Sequence, residues 1–171
     1  AMQEFVNSTL NSYLEEYFGG GEKKTKSFLY KLSVLSYNVF VLLKHIVGEL
    51  SQSDFYVSDC ELKIGTDIPS YTVKLPTGQN IAVCGLVDRV DIMNVDGVKY
   101  LRIIDYKTGT KKFKLSDILY GLNFQMLLYL YSIKQNGNER YGDIIPAGIL
   151  YMPATVPIIS ADDSFTEDKI E

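Results

Sequence analysis

The sequence predicts an α/β fold in which one sheet has helices packed against it. Two stretches in the N-terminal third repeat apolar residues every three or four positions, as amphipathic helices do. A strand-rich middle lies between residues 56 and 107, and one more helical stretch and a short apolar strand follow it. Strands and helices in this order favour a sheet flanked by helices.

The N-terminal third is predicted to form two helices. The first covers Gln3 to Tyr17, and three glycines at 19–21 end it. These glycines are interpreted as a turn and not as a phosphate-binding loop, because no Gly-Lys-Ser/Thr sequence follows them. The second helix covers Lys26 to Leu50. Its apolar stripe consists of Phe28, Leu32, Leu35, Val39, Leu42, Ile46 and Leu50.

The middle of the chain is predicted to form strands. These are Tyr56 to Ile64, Tyr71 to Leu75, and a long strand from Asn80 to Val95. The turn sequence at 94–97 then leads into a strand over 98–107, so that the last two strands form an antiparallel hairpin.

The register of this hairpin decides which residues meet across it. If the turn centres on residues 95–97, Asp88 faces residue 104, and a slip of one position brings it opposite Asp105. The sequence leaves this register open.

The C-terminal third is predicted to add one helix and one strand. Ser116 is the expected N-cap of the helix, and Gly137 ends it. One helix face would carry Ile118, Leu122, Gln125, Met126, Tyr129 and Ile133. Ile144 to Met152 is the predicted strand.

Length and composition predict one domain over residues 1–171, with a helical part at 1–50 and a catalytic core at 54–152. The apolar runs are shorter than a membrane span and the N-terminus lacks a signal-peptide pattern, so we expect a cytoplasmic protein with no membrane contact. Cys60 and Cys84 have no cysteine or histidine neighbour, which argues against a metal cluster and favours two buried free thiols.

The net charge of −4 argues weakly against a nucleic-acid partner, but its distribution matters more. Between residues 99 and 114 the only acid is Asp105, and the basic residues are Lys99, Arg102, Lys107, Lys111, Lys112 and Lys114. For Lys111 and Lys112, a solvated loop and contact with phosphate are equally favoured.

Two acids and a lysine predict chemistry on a phosphodiester. Asp105 and Lys107 are two positions apart, so a strand presents both on one face. Mg²⁺ and Mn²⁺ prefer oxygen ligands, and Asp88, Asp105 and the backbone carbonyl of Tyr106 would suit them. Such an ion activates water and neutralises charge on phosphoryl oxygens, and Lys107 would orient or polarise the water. An Asp-x-Lys sequence alone usually means an exposed ion pair.

Three further residues are candidates for this site. Glu61, in the strand before the hairpin, is either another metal ligand or a surface acid. Gln125 and Tyr129 lie one helical turn apart, and they either pack in the core or contact DNA and steady Lys107.

Other charged residues near these candidates are interpreted as structural. Arg89 and Asp91 are expected to bridge Asp88 and neighbouring carbonyls. His45 is the only histidine, and its position beside the stripe of the second helix favours an ordinary helix residue over a ligand.

Three stretches together resemble the RecB-like branch of the PD-(D/E)XK nucleases. They are GLVDRVD at 85–91, IIDYKTG at 103–109 and QMLLY at 125–129. They resemble the family elements G-x-[IV]-D-R-[IV]-D, [IV]-D-Y-K-[ST]-G and Q-x-x-x-Y. Residues 55–61 also resemble the stretch that introduces the family's upstream glutamate. The likeness runs from Leu42 to Met152 and is strongest to the C-terminal nuclease domains of AddB-type helicase-nuclease subunits.

The resemblance implies a restriction-endonuclease-like fold, a mixed central sheet flanked by helices. It also implies Mg²⁺- or Mn²⁺-dependent hydrolysis of DNA, as an exonuclease that processes double-strand ends for recombinational repair. Asp88 and Asp105 match the metal-binding acids, Lys107 matches the catalytic lysine, and Gln125 and Tyr129 match the motif after them. The expected partners are DNA and an AddA-like subunit of a helicase-nuclease.

Two departures from the family pattern affect the expected activity. Relatives carry a histidine ligand on an upstream helix, and His45 lies too close to the Glu61 strand to match it. AddB-type subunits often hold an iron–sulfur cluster, and this sequence does not supply the flanking cysteines. Either they lie in a longer parent protein of which this chain would be a fragment, or this member lacks them. The alternative is therefore a non-catalytic DNA-binding or subunit-docking module that retains the fold. A stand-alone endonuclease or junction resolvase is a third hypothesis.

Overall fold

The computed structural model describes residues 1–20, 24–109, 116, 120 and 124–154. Among these, residues 1–41 belong to one compact unit and Leu42–Ala154 to a second. The second predicted helix, α2 (Lys26–Ser51), begins in the first unit and ends in the second. The predicted domain boundaries at 1–50 and 54–152 stay predictions.

The first predicted helix and the beginning of the second lie in the first unit. Helix α1 spans Met2–Phe18, and α2 spans Lys26–Ser51. Gly19, with φ 66°, ends α1 in a left-handed cap, as the glycine run predicted. Polar side chains join the helices, because Ser36 Oγ donates a hydrogen bond to Asn7 Oδ1 at 2.7 Å.

Helix α2 covers the predicted range from Lys26 to Leu50 and one further residue, Ser51. Among the described helices it is the one whose length and hydropathy would permit a membrane span, with a mean hydropathy of 1.2 and none of the 18-residue window buried. The expectation concerned uninterrupted apolar runs, and α2 reaches this length and hydropathy only when its polar residues are included. The absence of membrane contact stays a prediction.

The second unit is built on a mixed four-stranded sheet. Its order is β1-β4-β5-β6, where β5 and β6 are parallel and the other pairs antiparallel. A separate two-stranded sheet pairs β2 with β3. The elements are β1 (Tyr56–Ile64), β2 (Tyr71–Lys74), β3 (Asn80–Val83), β4 (Gly85–Val95), β5 (Val98–Lys107), α3 (Gln125–Asn136), α4 (Asn138–Tyr141) and β6 (Ile144–Pro153).

One predicted strand was wrong in its extent. The predicted strand from Asn80 to Val95 is two strands in two sheets, because Val83 pairs with Tyr71 and Gly85 pairs with Ile64. Both strands are apolar, so alternation alone did not reveal the change of sheet at residue 84. Of the helix predicted from Ser116, the structure describes Gln125–Asn136 as helix α3, and residues 117–119 and 121–123 lie outside the described residues.

The core lies between one face of the sheet and α3. Val90 and Ile103 are fully buried at the centre of the sheet. Helix α3 covers them with Met126, Tyr129, Leu130 and Ile133. Burying each such aliphatic side chain stabilises the fold by about 1.5–3 kcal/mol. On the opposite face, Glu49 at the end of α2 binds arginines of β4 and β5. The predicted mixed sheet flanked by helices is confirmed.

The two cysteines are free, as predicted, but both are exposed. The prediction of buried thiols was wrong. Cys60 lies on β1, an edge strand of the main sheet, and Cys84 lies in the link between β3 and β4. Edge positions and links leave side chains accessible even where the flanking residues are apolar.

Candidate metal and nuclease site

The β4–β5 hairpin aligns the two candidate aspartates. Asp96 and Gly97, with φ 50° and 82°, form the two-residue turn, and Val95 pairs with Val98. The ladder continues to the pair Arg89 with Ile104. One further step in this register places Asp88 opposite residue 105, which is the slipped register that the sequence left open.

Asp88 lies just beyond the last pair of that ladder. Its Oδ2 accepts a hydrogen bond from the backbone N–H of Tyr106 at 2.8 Å. The carboxylate therefore lies beside the backbone of the residue between Asp105 and Lys107. A charge-assisted bond of this kind holds the carboxylate in one orientation.

Asp105 and Lys107 form an ion pair on one face of β5. Lys107 Nζ lies 2.6 Å from Asp105 Oδ2, and the lysine side chain is 49% exposed. The pKa of Lys107 is raised, mainly by Asp105 and with a smaller contribution from Asp88, although partial burial opposes the rise. Both aspartates thus act on the same ammonium, which is positively charged at neutral pH.

The chemistry of these oxygens suits a hard divalent cation. Asp105 Oδ2 is buried, and among the described residues no hydrogen bond of regular geometry reaches it. Two carboxylates and a carbonyl are enough for Mg²⁺, which usually keeps several waters and takes few protein ligands. Within the described ranges, no three His, Cys, Asp or Glu side chains are grouped closely enough to hold a metal by themselves.

The backbone carbonyl of Tyr106 is the third candidate ligand. In an extended strand, the N–H and C=O of one residue point towards the same side. The Tyr106 N–H points towards Asp88, so its carbonyl is directed to the β4 side as well. The regular β4–β5 pairs have already ended at Ile104.

Glu61 lies next to Asp88 in the sheet but is exposed. Its neighbours Cys60 and Leu62 pair with Arg89 and Val87, so residue 61 falls opposite Asp88. Its φ of 57° is uncommon for a residue with a side chain. Such a conformation costs free energy, and functional sites are where it most often persists.

Gln125 and Tyr129 contact each other at the start of α3. Gln125 Nε2 donates a hydrogen bond to the Tyr129 hydroxyl at 2.7 Å. A Cβ on Gly85, at the start of β4, would overlap that hydroxyl and the ring. Tyr129 is buried whereas Gln125 is exposed. The tyrosine therefore packs in the core, and the glutamine is the member of the pair that a ligand could reach.

The remaining candidates have mixed outcomes. Lys111 and Lys112 lie outside the described residues. Arg89 and Asp91 are structural, as predicted, but their partners differ from the expected ones. Asp91 Oδ2 binds Arg89 and Arg102, and Glu49 binds both arginines. His45 is an exposed helix residue.

Sequence reasoning missed Glu49, Arg102 and Gly85. Glu49 is forty residues from Arg89, so no local pattern connected them. Arg102 was counted only as part of a basic region, although its position in the apolar run 101–104 indicated burial. Gly85 begins a recognised motif, but its role depends on Tyr129, which comes from another element.

The β4–β5 hairpin ends in two acids and a lysine, on a mixed sheet that packs against α3. The chain belongs to the PD-(D/E)XK nuclease superfamily, which matches residues 14–168. The fold is accordingly the restriction-endonuclease-like fold that the resemblance implied.

The relatives are long proteins, each named as a subunit of an ATP-dependent helicase/deoxyribonuclease. The protein from Thermoanaerobacter sp. (strain X514) is 38% identical over 140 residues, which is 81% of this chain and 12% of the relative. The one from Ruminiclostridium cellulolyticum is 35% identical over 178 residues, 99% of this chain and 14% of the relative. The one from Acetivibrio thermocellus is 32% identical over 175 residues, which is 98% of this chain and 15% of the relative. The chain thus spans only a small part of their length.

Proposed function

We propose that this chain is a metal-dependent DNA nuclease that hydrolyses phosphodiester bonds. The observation that carries the proposal is that Asp88, near the start of β4, lies beside Asp105 and Lys107, at the end of β5. The chain's membership of a nuclease superfamily supports the same conclusion.

Each residue has a separate role in this proposal. Mg²⁺ or Mn²⁺ would be held by Asp88, Asp105 and the carbonyl of Tyr106. Glu61 lies opposite Asp88 on the neighbouring strand β1 and is a further candidate carboxylate. When bound, such an ion supplies an activated water and neutralises charge on the phosphoryl oxygens. The aspartates supply the negative charge that holds it.

Lys107 acts as a cation in this proposal. Asp105 raises the pKa of Lys107, so the side chain is protonated at neutral pH. A protonated amine has no lone pair with which to accept a proton. It would therefore orient the attacking water by donating hydrogen bonds, or stabilise negative charge on the phosphate. Its side chain is about half exposed, which leaves it accessible to a substrate.

The proposed wider role is supported by the relatives, which are named as subunits of an ATP-dependent helicase/deoxyribonuclease, and by the family resemblance of the sequence motifs. We propose that the chain acts as an exonuclease on double-strand ends in recombinational repair, in the cytoplasm, together with an AddA-like helicase-nuclease subunit. Exposed Gln125 would contact the DNA. Lys111 and Lys112 are basic residues near Lys107 in sequence and are proposed to contact phosphate.

The second candidate function is a non-catalytic DNA-binding or docking module. It is favoured by one observation, the lack of a three-ligand cluster among the side chains that the structure describes. The two functions differ in whether DNA is cut or only bound.

A cleavage assay separates these functions. The intact protein is incubated with linear duplex DNA and Mg²⁺, with and without EDTA, and DNA binding is measured in parallel. We expect degradation that EDTA stops and that Asp88→Asn reduces by about 100-fold or more. Asp143→Asn is the matched control, because this exposed aspartate also binds a lysine, Lys134. DNA binding without any cutting in the wild type would establish the non-catalytic alternative.

A further inference from the structure

A buried network of four charges lies on the sheet face opposite α3. Asp91 is completely buried, and its Oδ2 accepts hydrogen bonds from Arg89 at 2.9 Å and from Arg102 at 2.8 and 3.0 Å. Glu49 binds Arg102 at 2.5 Å and Arg89 at 3.3 Å. Two arginines thus balance two acids, and buried charges paired in this way are held rigidly by their hydrogen bonds.

One bond of Arg89 leaves this network and points towards the candidate site. Arg89 Nη1 donates a hydrogen bond to the Tyr106 hydroxyl at 3.0 Å. Tyr106 lies between Asp105 and Lys107 in the chain, and its side chain lies on the other face of the strand from theirs. The network and the candidate site therefore share one residue.

The hydrogen bond from Arg89 to Tyr106 lies just beyond the point where regular pairing between β4 and β5 ends. Regular pairing of β4 with β5 ends at Ile104, and beyond it the Tyr106 N–H is bonded to the Asp88 side chain. A strand end without ladder bonds on one side has more freedom to rotate. When Arg89 holds the Tyr106 ring in place, the backbone of Tyr106 can rotate less. The Tyr106 N–H then stays bonded to Asp88, and the Tyr106 carbonyl stays directed towards β4.

We propose that Arg89 is a positioning residue of the candidate metal site and acts through the Tyr106 hydroxyl. The Arg89 guanidinium is held in place by its bonds to Asp91 and Glu49, and Arg102 binds the same two acids. The proposal rests on the proposed function, because it assigns Arg89 to the orientation of two candidate ligands, Asp88 and the Tyr106 carbonyl. Partners that orient the ligands of a metal commonly change its affinity by about 10–100-fold.

The variant Tyr106→Phe tests the proposal, because it removes only the hydroxyl that Arg89 binds. Tyr141→Phe is the matched control. Tyr141 is a buried tyrosine whose hydroxyl donates to the carboxylate of Asp59 at 2.9 Å, so this variant also loses a hydrogen bond to a charged group. The readouts are the affinity for Mn²⁺, from the electron paramagnetic resonance signal of free Mn²⁺, and the thermal unfolding midpoint.

We expect Tyr106→Phe to weaken Mn²⁺ binding by about tenfold or more, and Tyr141→Phe to leave it within about twofold even though it lowers the unfolding midpoint. Equal Mn²⁺ affinity in Tyr106→Phe and the wild type would overturn the role of Arg89. Asp105→Asn distinguishes this failure from that of the proposed function. If Asp105→Asn binds Mn²⁺ as tightly as the wild type, the metal site itself is wrong and the positioning role falls with it.

Discussion

The carboxylate of Asp88 accepts a hydrogen bond from the backbone N–H of Tyr106 at 2.8 Å, one step beyond the last regular pair of the β4–β5 ladder. A side chain thus replaces a backbone acceptor where the two strands separate. This contact places the acid of one strand beside the Asp105-Tyr106-Lys107 segment of the next. The candidate site therefore forms at the end of a hairpin whose register is set by its two-residue turn.

Gly85 and Gly48 provide a pair of identical substitutions with opposite expected effects. A methyl group at Gly85 would overlap the buried Tyr129, so Gly85→Ala should lower the free energy of unfolding by about 1–3 kcal/mol. Gly48→Ala lies in helix α2 with nothing within 4 Å, and it should raise the free energy by about 0.5–1 kcal/mol. Urea unfolding measures both. A neutral Gly85→Ala would show that Tyr129 does not need this close approach.

Glu61 combines a strained backbone with a candidate ligand, so its replacement should affect stability and activity in opposite directions. Glycine tolerates a φ of 57°, and Glu61→Gly should stabilise the fold by up to about 1 kcal/mol. The loss of the carboxylate should reduce metal-dependent cleavage. Glu61→Gln keeps the strain and loses the charge, so it should reduce cleavage without the gain in stability. Full cleavage activity in both variants would show that Glu61 is only a surface acid.

Asp59 should make stability depend on acid pH. Burial raises its pKa, but hydrogen bonds from Arg140 and Tyr141 outweigh burial and bring the pKa below the usual value. A carboxyl whose folded pKa is depressed stabilises the fold above its unfolded pKa, and this contribution is lost as the pH falls through the folded pKa.

Urea unfolding at pH 7 and pH 3 checks this effect. Asp59→Asn should destabilise the protein at pH 7, and the difference from the wild type should become smaller below about pH 4. A difference that stays constant between the two pH values would mean that the charge of Asp59 contributes nothing to stability.

The helices and strands of this fold follow largely from local sequence patterns. The stripe of α2, the strands β1 and β5 and the turn at 96–97 are where the sequence analysis placed them, because periodicity and turn chemistry act over a few residues. The change of sheet between Val83 and Gly85 was missed, since it depends on which strand each segment pairs with.

In the candidate site too, local features could be predicted from the sequence and contacts between distant elements could not. The chemistry of Asp88, Asp105 and Lys107 was evident from residue types and a spacing of two. The buried network of Glu49, Arg89, Asp91 and Arg102 was not, because it brings together residues from α2, β4 and β5. Interactions that depend on packing between distant elements leave no periodic trace in the sequence.

The most direct test of the central claim is the rate at which the intact protein degrades linear duplex DNA with Mg²⁺, compared between the wild type and Lys107→Met. Lys107 is half exposed, so its replacement should change stability by less than about 1 kcal/mol. Lys134→Met, which removes a lysine paired with Asp143 away from the site, is the control. We predict a loss of about 100-fold or more for Lys107→Met and an unchanged rate for Lys134→Met. An unchanged rate for Lys107→Met would contradict the assignment of this site to DNA cleavage.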